Sequence, residues 1–390
     1  MVAARDVWSP SREELKKMAP NPQAGLNYSD LARLVLERAD SARRGVEIIG
    51  ALIQKHGYAT YGGNSHLIAD PEEAWIVIEY AGGKGLWVVK RLGPDDVYFA
   101  YPGHIETVPL DYRKSEDYMG SKNLISFAKE KGWFSLKNKE FDLHKAYSWQ
   151  KGTAKQPQMK YVDPYLIEKE IKKKRGKIGM REFLNIVRDV RIADEEAGYG
   201  QALSLKNYSD PELALIWIAP TTSVTSPFIP YFFGTTEILP EFKKHRYLSK
   251  GAARTFLNPD YQQQEGTMFA GRLFKRLLYQ GCLAPEKFYP EIKEALGAFE
   301  DKELKELSAA KKIVDALFIN SKKEEARFFM NFWAKKWQKD ALDLGESLLK
   351  SLELRYRYLY GVDQPKGGNI NSQGGTTPNC LVGADPDRPD

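Results

Sequence analysis

The sequence has 390 residues, 42% of them hydrophobic and 12% aromatic, which is enough to bury a large core. Its 58 basic and 52 acidic residues leave a formal charge of +6, and the basic excess is concentrated in residues 169–177, which reads as a solvated helix end and not as a nucleic-acid groove. No membrane-spanning run and no signal peptide are apparent, so we expect a cytoplasmic protein that binds neither nucleic acid nor membrane.

Residues 1–28 are expected to form an irregular N-terminal segment. Apolar residues then recur at helical spacing over residues 29–56, with Ser29 and Asp30 where an N-cap belongs and Gly57 at the end. Short β-rich runs follow, and the glycines of residues 82–85 predict a hairpin turn between two of them. The runs lie at residues 67–69, 75–80, 86–90 and 97–101. The pattern predicts a helix followed by an antiparallel meander.

The second half of the chain changes from strand to helix. A strand is predicted over residues 213–219, after irregular segments with short helices at residues 123–131 and 180–188. Helical periodicity returns at residues 269–279, 290–299, 304–318, 322–337 and 342–360. The Gly-, Pro- and Asn-rich tail, residues 361–390, is expected to be disordered. Strands followed by helices favour an α+β fold with layered antiparallel sheets.

Residues 221–237 combine hydroxyl side chains with a proline-bounded aromatic stretch, in the order TTSVTSPFIPYFFGTTE. A core would not need the hydroxyls, and a polar loop would not need the aromatic rings. The combination indicates one wall of a small-molecule pocket, apolar with a few placed polar groups, although plain turn chemistry remains the alternative. The candidate substrate contacts in this run are Thr221, Thr222, Ser223 and Ser226.

Sequence motifs for a metal, a cofactor or a catalytic serine are not found. The five histidines form no HExxH or HxH arrangement, and the two cysteines, Cys282 and Cys380, form no CxxC pair. The chain has no GxSxG elbow, P-loop or GxGxxG motif. We therefore predict no metal and no cofactor.

Two stretches carry a family resemblance: residues 64–79, NSHLIADPEEAWIVIE, and the run at 221–237. Together they resemble the dipeptidase/secernin family of cysteine-type N-terminal-nucleophile hydrolases over roughly residues 29–360. The resemblance implies a single Ntn-hydrolase-like domain over these residues, a four-layer αββα sandwich with antiparallel sheets. It also implies hydrolysis of a C–N amide bond in dipeptides or similar small amides, through an acyl-enzyme.

The family's nucleophile has no counterpart in this sequence. Relatives begin their mature chain with a cysteine whose own α-amine serves as base, whereas this chain begins Met1-Val2-Ala3-Ala4. We therefore expect the domain to lack the nucleophile segment and N-terminal strands, and no catalytic residue is identified. Relatives also carry an oxyanion-site asparagine where this sequence has Gly103 and His104, so a backbone N–H or His104 would have to substitute.

Asn64, His66 and His104 complete the candidate substrate contacts. Asn64 has the alternative of capping a turn after two glycines, and strand alternation allows His66 to face either side of its sheet. Two functions remain open: an amide hydrolase whose cysteine lies upstream or on a separate nucleophile-bearing chain, or a non-catalytic relative that serves as a binding or assembly subunit. The expected partners are a small peptide or amide substrate and a second copy of the chain.

Overall fold

The computed structural model describes residues 1–60, 62–100, 107–135, 140–148, 164–193, 199–243 and 269–361. The chain divides into two compact units, Met1–Lys177 with Leu205–Asn207, and Ile178–Ser204 with Tyr208–Asp390. The sequence had predicted one domain over residues 29–360 and gave no sign of this division. Among the described helices, none has the length and apolar character to cross a membrane.

The first unit mixes short helices with antiparallel strands. Its helices are α1 (Glu13–Lys17), α2 (Tyr28–Arg38), α3 (Ala42–His56), α4 (Leu124–Glu130), α5 (Leu143–Tyr147) and α6 (Pro164–Lys172). Its strands are β1 (Ala3–Trp8), β2 (Asn64–Ala69), β3 (Ala74–Glu79), β4 (Trp87–Leu92), β5 (Thr107–Pro109), β6 (Tyr118–Gly120) and β7 (Glu140–Asp142). A 3-10 helix spans Tyr112–Lys114.

A five-stranded antiparallel sheet in the order β1-β2-β3-β4-β6 forms the centre of the first unit, and β5 pairs with β7 separately. The predicted hairpin between β3 and β4 is confirmed, with Gly82, Gly83 and Gly85 at positive φ. The N-terminal segment is not irregular throughout, because β1 pairs along its whole length with β2 and covers what would be an unpaired edge. The run predicted as a strand from residue 97 is not a strand over its described part, residues 97–100.

The sheet is buried on both faces. One face packs on α2 and α3 through side chains such as Ile68, Trp75, Val77 and Val89. The other face, including Ile76, Ile78 and Val88, packs on residues of α1, α4, α5 and β7. Because side chains alternate along a strand, the parity of a residue decides which layer it contacts.

The helix predicted over residues 29–56 is two helices. It begins earlier, since the Asn27 side chain accepts a hydrogen bond from Asp30 N, and Asp30 accepts one from Asn27 N, a capping box. It breaks at Ala39, which is extended. Ser41 then caps α3 by accepting from Arg44 N, and the carboxylate of Asp70 accepts from Ala42 N at 2.6 Å. The two N-terminal caps thus start two separate helices within a segment whose apolar periodicity is continuous.

The second unit places a small sheet against long helices. Its strands are β8 (Gly200–Leu203), β9 (Leu215–Ala219) and β10 (Ile229–Phe232), antiparallel in the order β10-β9-β8. Its helices are α7 (Met180–Val187), α8 (Pro240–Lys243), α9 (Ala270–Gly281), α10 (Pro285–Ile319) and α11 (Lys323–Tyr360), and a 3-10 helix spans Pro211–Leu213. The α+β prediction and the helical C-terminal part are confirmed.

The two longest helices form an antiparallel hairpin. The sequence predicted α10 and α11 as two helices each, but they run for 35 and 38 residues without a break. Ion pairs between Lys302 and Asp340 and between Lys336 and Glu306 show the antiparallel register. A core of apolar side chains, including Trp217, Phe228, Phe274 and Trp337, fills the space between this hairpin, α9 and the sheet. Of the predicted tail, all but residue 361 lies outside the described residues.

Candidate functional site

His66 and Glu79 form a fully buried polar pair in the first unit. His66 lies on β2 and Glu79 on β3, and His66 Nδ1 lies 2.6 Å from Glu79 Oε1. Register and parity place both on the face that packs on α2 and α3, the same face as Val77. His66 Nε2 lies 3.0 Å from the carbonyl oxygen of Tyr28, in the first turn of α2. Both ring nitrogens are therefore engaged within the protein.

The protonation of this pair follows from its burial. A carbonyl oxygen only accepts, so Nε2–H donates to Tyr28 and the Nδ1 contact shares a proton with Glu79. Burial alone would lower the pKa of His66, but the Glu79 carboxylate outweighs it and raises that pKa. Burial also raises the pKa of Glu79, against the opposing effect of His66. The pair therefore holds a proton more firmly than either group does in water.

Two buried oxygen atoms have no hydrogen-bond partner among the described residues. They are the second carboxylate oxygen of this pair, Glu79 Oε2, and the Tyr58 hydroxyl. Asn64 faces the same layer, directly opposite Glu79, and is 3% exposed. Its Nδ2 donates to the carbonyl oxygen of Ser65 at 3.4 Å. The structure thus brings the candidates Asn64 and His66 to one buried face. His104 lies outside the described residues, and the roles of all three in substrate binding stay predictions.

The four candidate contacts of the second unit lie together in the loop between β9 and β10. We call residues 221–228 the hydroxyl loop. Thr221, Thr222, Ser223 and Ser226 are all buried, at 8% exposure or less. The loop turns once on itself, because Ser226 N donates to Thr222 O at 3.1 Å. The predicted combination of hydroxyls with Phe228 and Ile229 is therefore a packed structure and not an exposed turn.

The hydroxyls of the loop divide into two groups. Ser223 Oγ donates to Val187 O at 2.8 Å at the end of α7, and Thr225 Oγ1 donates to Phe274 O at 3.0 Å on α9. Thr222 Oγ1 and Ser226 Oγ are buried without a hydrogen-bond partner among the described residues. Burying such a group unpaired costs free energy, so these two hydroxyls are the unsatisfied side-chain groups of the loop among the described residues.

An ion pair that the sequence interpretation missed lies against this loop. Arg188, the residue after α7, contacts Glu300 of α10 through two nitrogens, and both side chains are buried. The signal was present in α10, where Glu300 and Glu303 occupy positions of the buried stripe that includes Leu296 and Leu307. A charged residue on an apolar stripe is informative because it requires a partner. Glu79 carries the same signal, since it has the parity of Trp75 and Val77.

Three acidic side chains of α10 and α11 have the spacing to hold a cation: Glu303, Glu306 and Asp340, with ligand atoms within 4.8 Å of one another. The Lys336 ammonium already lies between two of them, 2.7 Å from Glu306 Oε2 and 2.9 Å from Asp340 Oδ2. Glu303 is fully buried with neither oxygen paired among the described residues. Burial, reinforced by the negative charge of Glu306, raises the pKa of Glu303 to about 8. Two of the three carboxylates are thus already paired with Lys336.

Comparison with known proteins gives one family. Residues 13–166 match the family model described as Peptidase family C69. A probable dipeptidase of Salmonella dublin is 31% identical over 126 residues, which are 32% of this chain and 28% of that protein. Probable dipeptidase B of Lactococcus lactis is 37% identical over 105 residues, 27% of this chain and 21% of that protein.

Dipeptidase A of Lactobacillus helveticus is 31% identical over 102 residues, 26% of this chain and 20% of that protein. The chain thus spans between about a fifth and a third of the length of the curated relatives that it matches. The matched stretch contains α2, α3 and the hairpins β2-β3-β4, including His66 and Glu79. The similarity to peptidase family C69 is thus confined to residues 13–166.

Proposed function

We propose that this chain provides the substrate-binding part of a dipeptidase-like hydrolase, which cleaves the C–N amide bond of dipeptides or similar small amides. The match of residues 13–166 to peptidase family C69, whose similar members are named dipeptidases, is the observation that carries the proposal. The chemistry is acyl transfer: a thiolate attacks the amide carbon, the amine leaves with a proton, and water then hydrolyses the thioester.

The nucleophile in this proposal is a cysteine outside this chain, encoded upstream or carried by a separate polypeptide. Cys282 caps the C-terminal end of α9, with its sulfur 2.9 Å from the Tyr289 hydroxyl, and so it does not begin a chain whose α-amine would act as base. Cys380 lies outside the described residues. The chain therefore contributes binding and positioning, and the thiolate comes from elsewhere.

The hydroxyl loop is the proposed substrate wall. Thr222 and Ser226 offer hydroxyls that can donate to a carbonyl oxygen or accept from an amide N–H of a dipeptide. Phe228 and Ile229 next to them supply the apolar part of the wall. Thr221 stays a candidate contact, and Ser223 holds the loop to the end of α7. Asn64, His66 and His104 stay candidates in the other unit.

Titration calorimetry with the dipeptide Ala-Ala tests this proposal. Two lost hydrogen bonds of about 0.5–1.5 kcal/mol each predict that Thr222→Val with Ser226→Ala weakens binding by roughly tenfold to a hundredfold. Ser347→Ala, a hydroxyl on α11 that bonds only to its own helix at Asp343 O, is the matched control and should bind as the wild type does. Wild-type protein that binds no dipeptide, or equal binding by the double variant, contradicts the proposal.

A further inference from the structure

Arg188 and Glu300 form an ion pair that is closed off from solvent. Arg188 is 3% exposed and Glu300 is 0% exposed. The guanidinium meets both carboxylate oxygens, Nη1 with Oε2 at 2.8 Å and Nη2 with Oε1. Buried charges are tolerated only where partners replace water, and a planar guanidinium does so best in this two-point geometry. The pair is therefore a fixed element of the second unit.

Both partners also hold the backbone of the hydroxyl loop. Arg188 Nε donates to Ser223 O at 2.7 Å, and Nη2 donates to Ser226 O at 3.3 Å. Glu300 Oε1 accepts from Phe228 N at 3.0 Å. The guanidinium carbon also lies 5.3 Å from the centroid of the Phe228 ring. Three backbone groups of the loop thus depend on this one ion pair.

These contacts explain why two hydroxyls stay unpaired. With the carbonyls of Ser223 and Ser226 directed at Arg188, and Ser226 N bonded to Thr222 O, the backbone on both sides of the free hydroxyls is fixed. A loop free to relax would turn Thr222 and Ser226 toward protein partners, because an unpaired buried hydroxyl is costly. The ion pair therefore offsets the cost of leaving them unpaired.

We infer that Arg188 and Glu300 are a positioning pair, which holds the hydroxyl loop, the proposed substrate wall, in its packed conformation; this rests on the proposed function. Neither residue contacts the substrate itself. The guanidinium charge is neutralised by Glu300, so the pair is not a site for the substrate carboxylate. Its contribution is preorganisation, which lowers the entropy lost on binding.

Hydrogen–deuterium exchange of the full chain without ligand tests the positioning. The double variant Arg188→Met with Glu300→Gln removes both charges, so that no unpaired charge is buried. Amides of residues 223–228 should exchange at least about tenfold faster than in the wild type, while amides of α9 and α11 keep their rates. Unchanged loop exchange, or a rise spread evenly over the second unit, would overturn the inference.

Arg181→Met is the matched control. Arg181 also donates to Glu300 Oε2, at 2.9 Å, and pairs with Asp301, so these bonds join it to α10 and not to the loop. It should leave loop exchange and Ala-Ala affinity unchanged, whereas the double variant should bind Ala-Ala at least about tenfold more weakly. Wild-type protein that does not bind Ala-Ala overturns the proposed function. Wild-type binding that the double variant retains in full overturns the positioning inference alone.

Discussion

His66 and Glu79 join three elements of the first unit at one buried point. The imidazole Nδ1 meets Glu79 Oε1 across the β2-β3 pair, and Nε2 meets the first turn of α2 at Tyr28 O. Neighbouring buried side chains on this side of the sheet, such as Ile68 and Val77, are apolar. Neither residue is exposed. The binding of a proton by this pair is therefore coupled to folding.

This pair predicts a pH dependence of stability. The folded-state pKa of His66 is raised above its ordinary 6.5, so the folded state holds a proton that the unfolded state releases. The resulting stabilisation is full below pH 6.5 and is lost as pH rises through the folded pKa. Glu79→Gln removes the carboxylate that raises this pKa, and the decline should disappear. Denaturant unfolding at a series of pH values, followed by tryptophan fluorescence, measures the change.

Glu303 also makes the protein less stable as pH rises, so its contribution has to be removed from the comparison. The proteins with and without Glu79→Gln should therefore both carry Glu303→Gln. An equally steep decline with and without Glu79→Gln would show that the pair does not couple its proton to folding. Asp6, whose charge also raises the pKa of His66, is left intact in both.

Glu303 predicts a second pH effect, in the other unit. Its pKa rises from 4.5 to about 8, mainly through burial, so the folded state prefers the protonated acid. The free energy of unfolding should therefore fall as pH rises from 4.5 to about 8, because Glu303 ionises first in the unfolded state. Glu303→Gln keeps the shape of the neutral acid and should be more stable than the wild type at pH 9. The free energy of unfolding at pH 5 and pH 9 measures the difference.

Glu325→Gln, at an exposed position of α11, is the control for Glu303. Its loss should not produce a gain at high pH. A Glu303→Gln protein that is less stable than the wild type at pH 9 would show that Glu303 is ionised and paired there.

Gly50 marks a close approach between α3 and the sheet. A Cβ at this position would lie 2.5 Å from Trp87 Cη2, and Trp87 is buried. Alanine would otherwise favour the helix by about 1 kcal/mol, but overpacking costs about 1–3 kcal/mol, so Gly50→Ala should destabilise the first unit. Thermal unfolding measures this.

Trp87→Leu should largely relieve the clash, so the cost of Gly50→Ala should shrink in that background. Gly271 on α9 is the helical control, because the nearest atom to its Cβ would be 3.6 Å away. Gly271→Ala should be tolerated. Equal destabilisation at both glycines would show that close packing on Trp87 is not the cause.

Local sequence patterns predicted the helices and strands better than they predicted the breaks between helices and the pairing of distant strands. Alternation found β2, β3 and β4, and the glycines of residues 82–85 found their hairpin, because each signal lies within a few residues. The break between α2 and α3 depends on Asp70, which is distant in sequence and accepts from Ala42 N. β1 was missed because its pattern in Ala3–Trp8 is weak and its pairing with β2 is non-local.

The same limit applies to the candidate site, where local patterns identified segments but not the contacts between distant residues. Composition predicted a pocket wall at the hydroxyl loop, of which the structure shows only that its hydroxyl residues are buried, and parity placed Asn64 and His66 on one face only once the sheet was known. Arg188 and Glu300 are 112 residues apart, and no sequence pattern joins them. A single acidic residue on a buried helix stripe signals that a partner exists, but only the fold identifies it.

Release of free amino acids from a panel of dipeptides is the measurement that bears most directly on the proposed hydrolase. The purified chain should release none by itself, and should release them once a separate polypeptide that carries the proposed nucleophilic cysteine is supplied. Turnover by the chain alone would contradict a nucleophile outside it. A supplied segment that restores no turnover, with a chain that binds no dipeptide, would contradict the dipeptidase-like function itself.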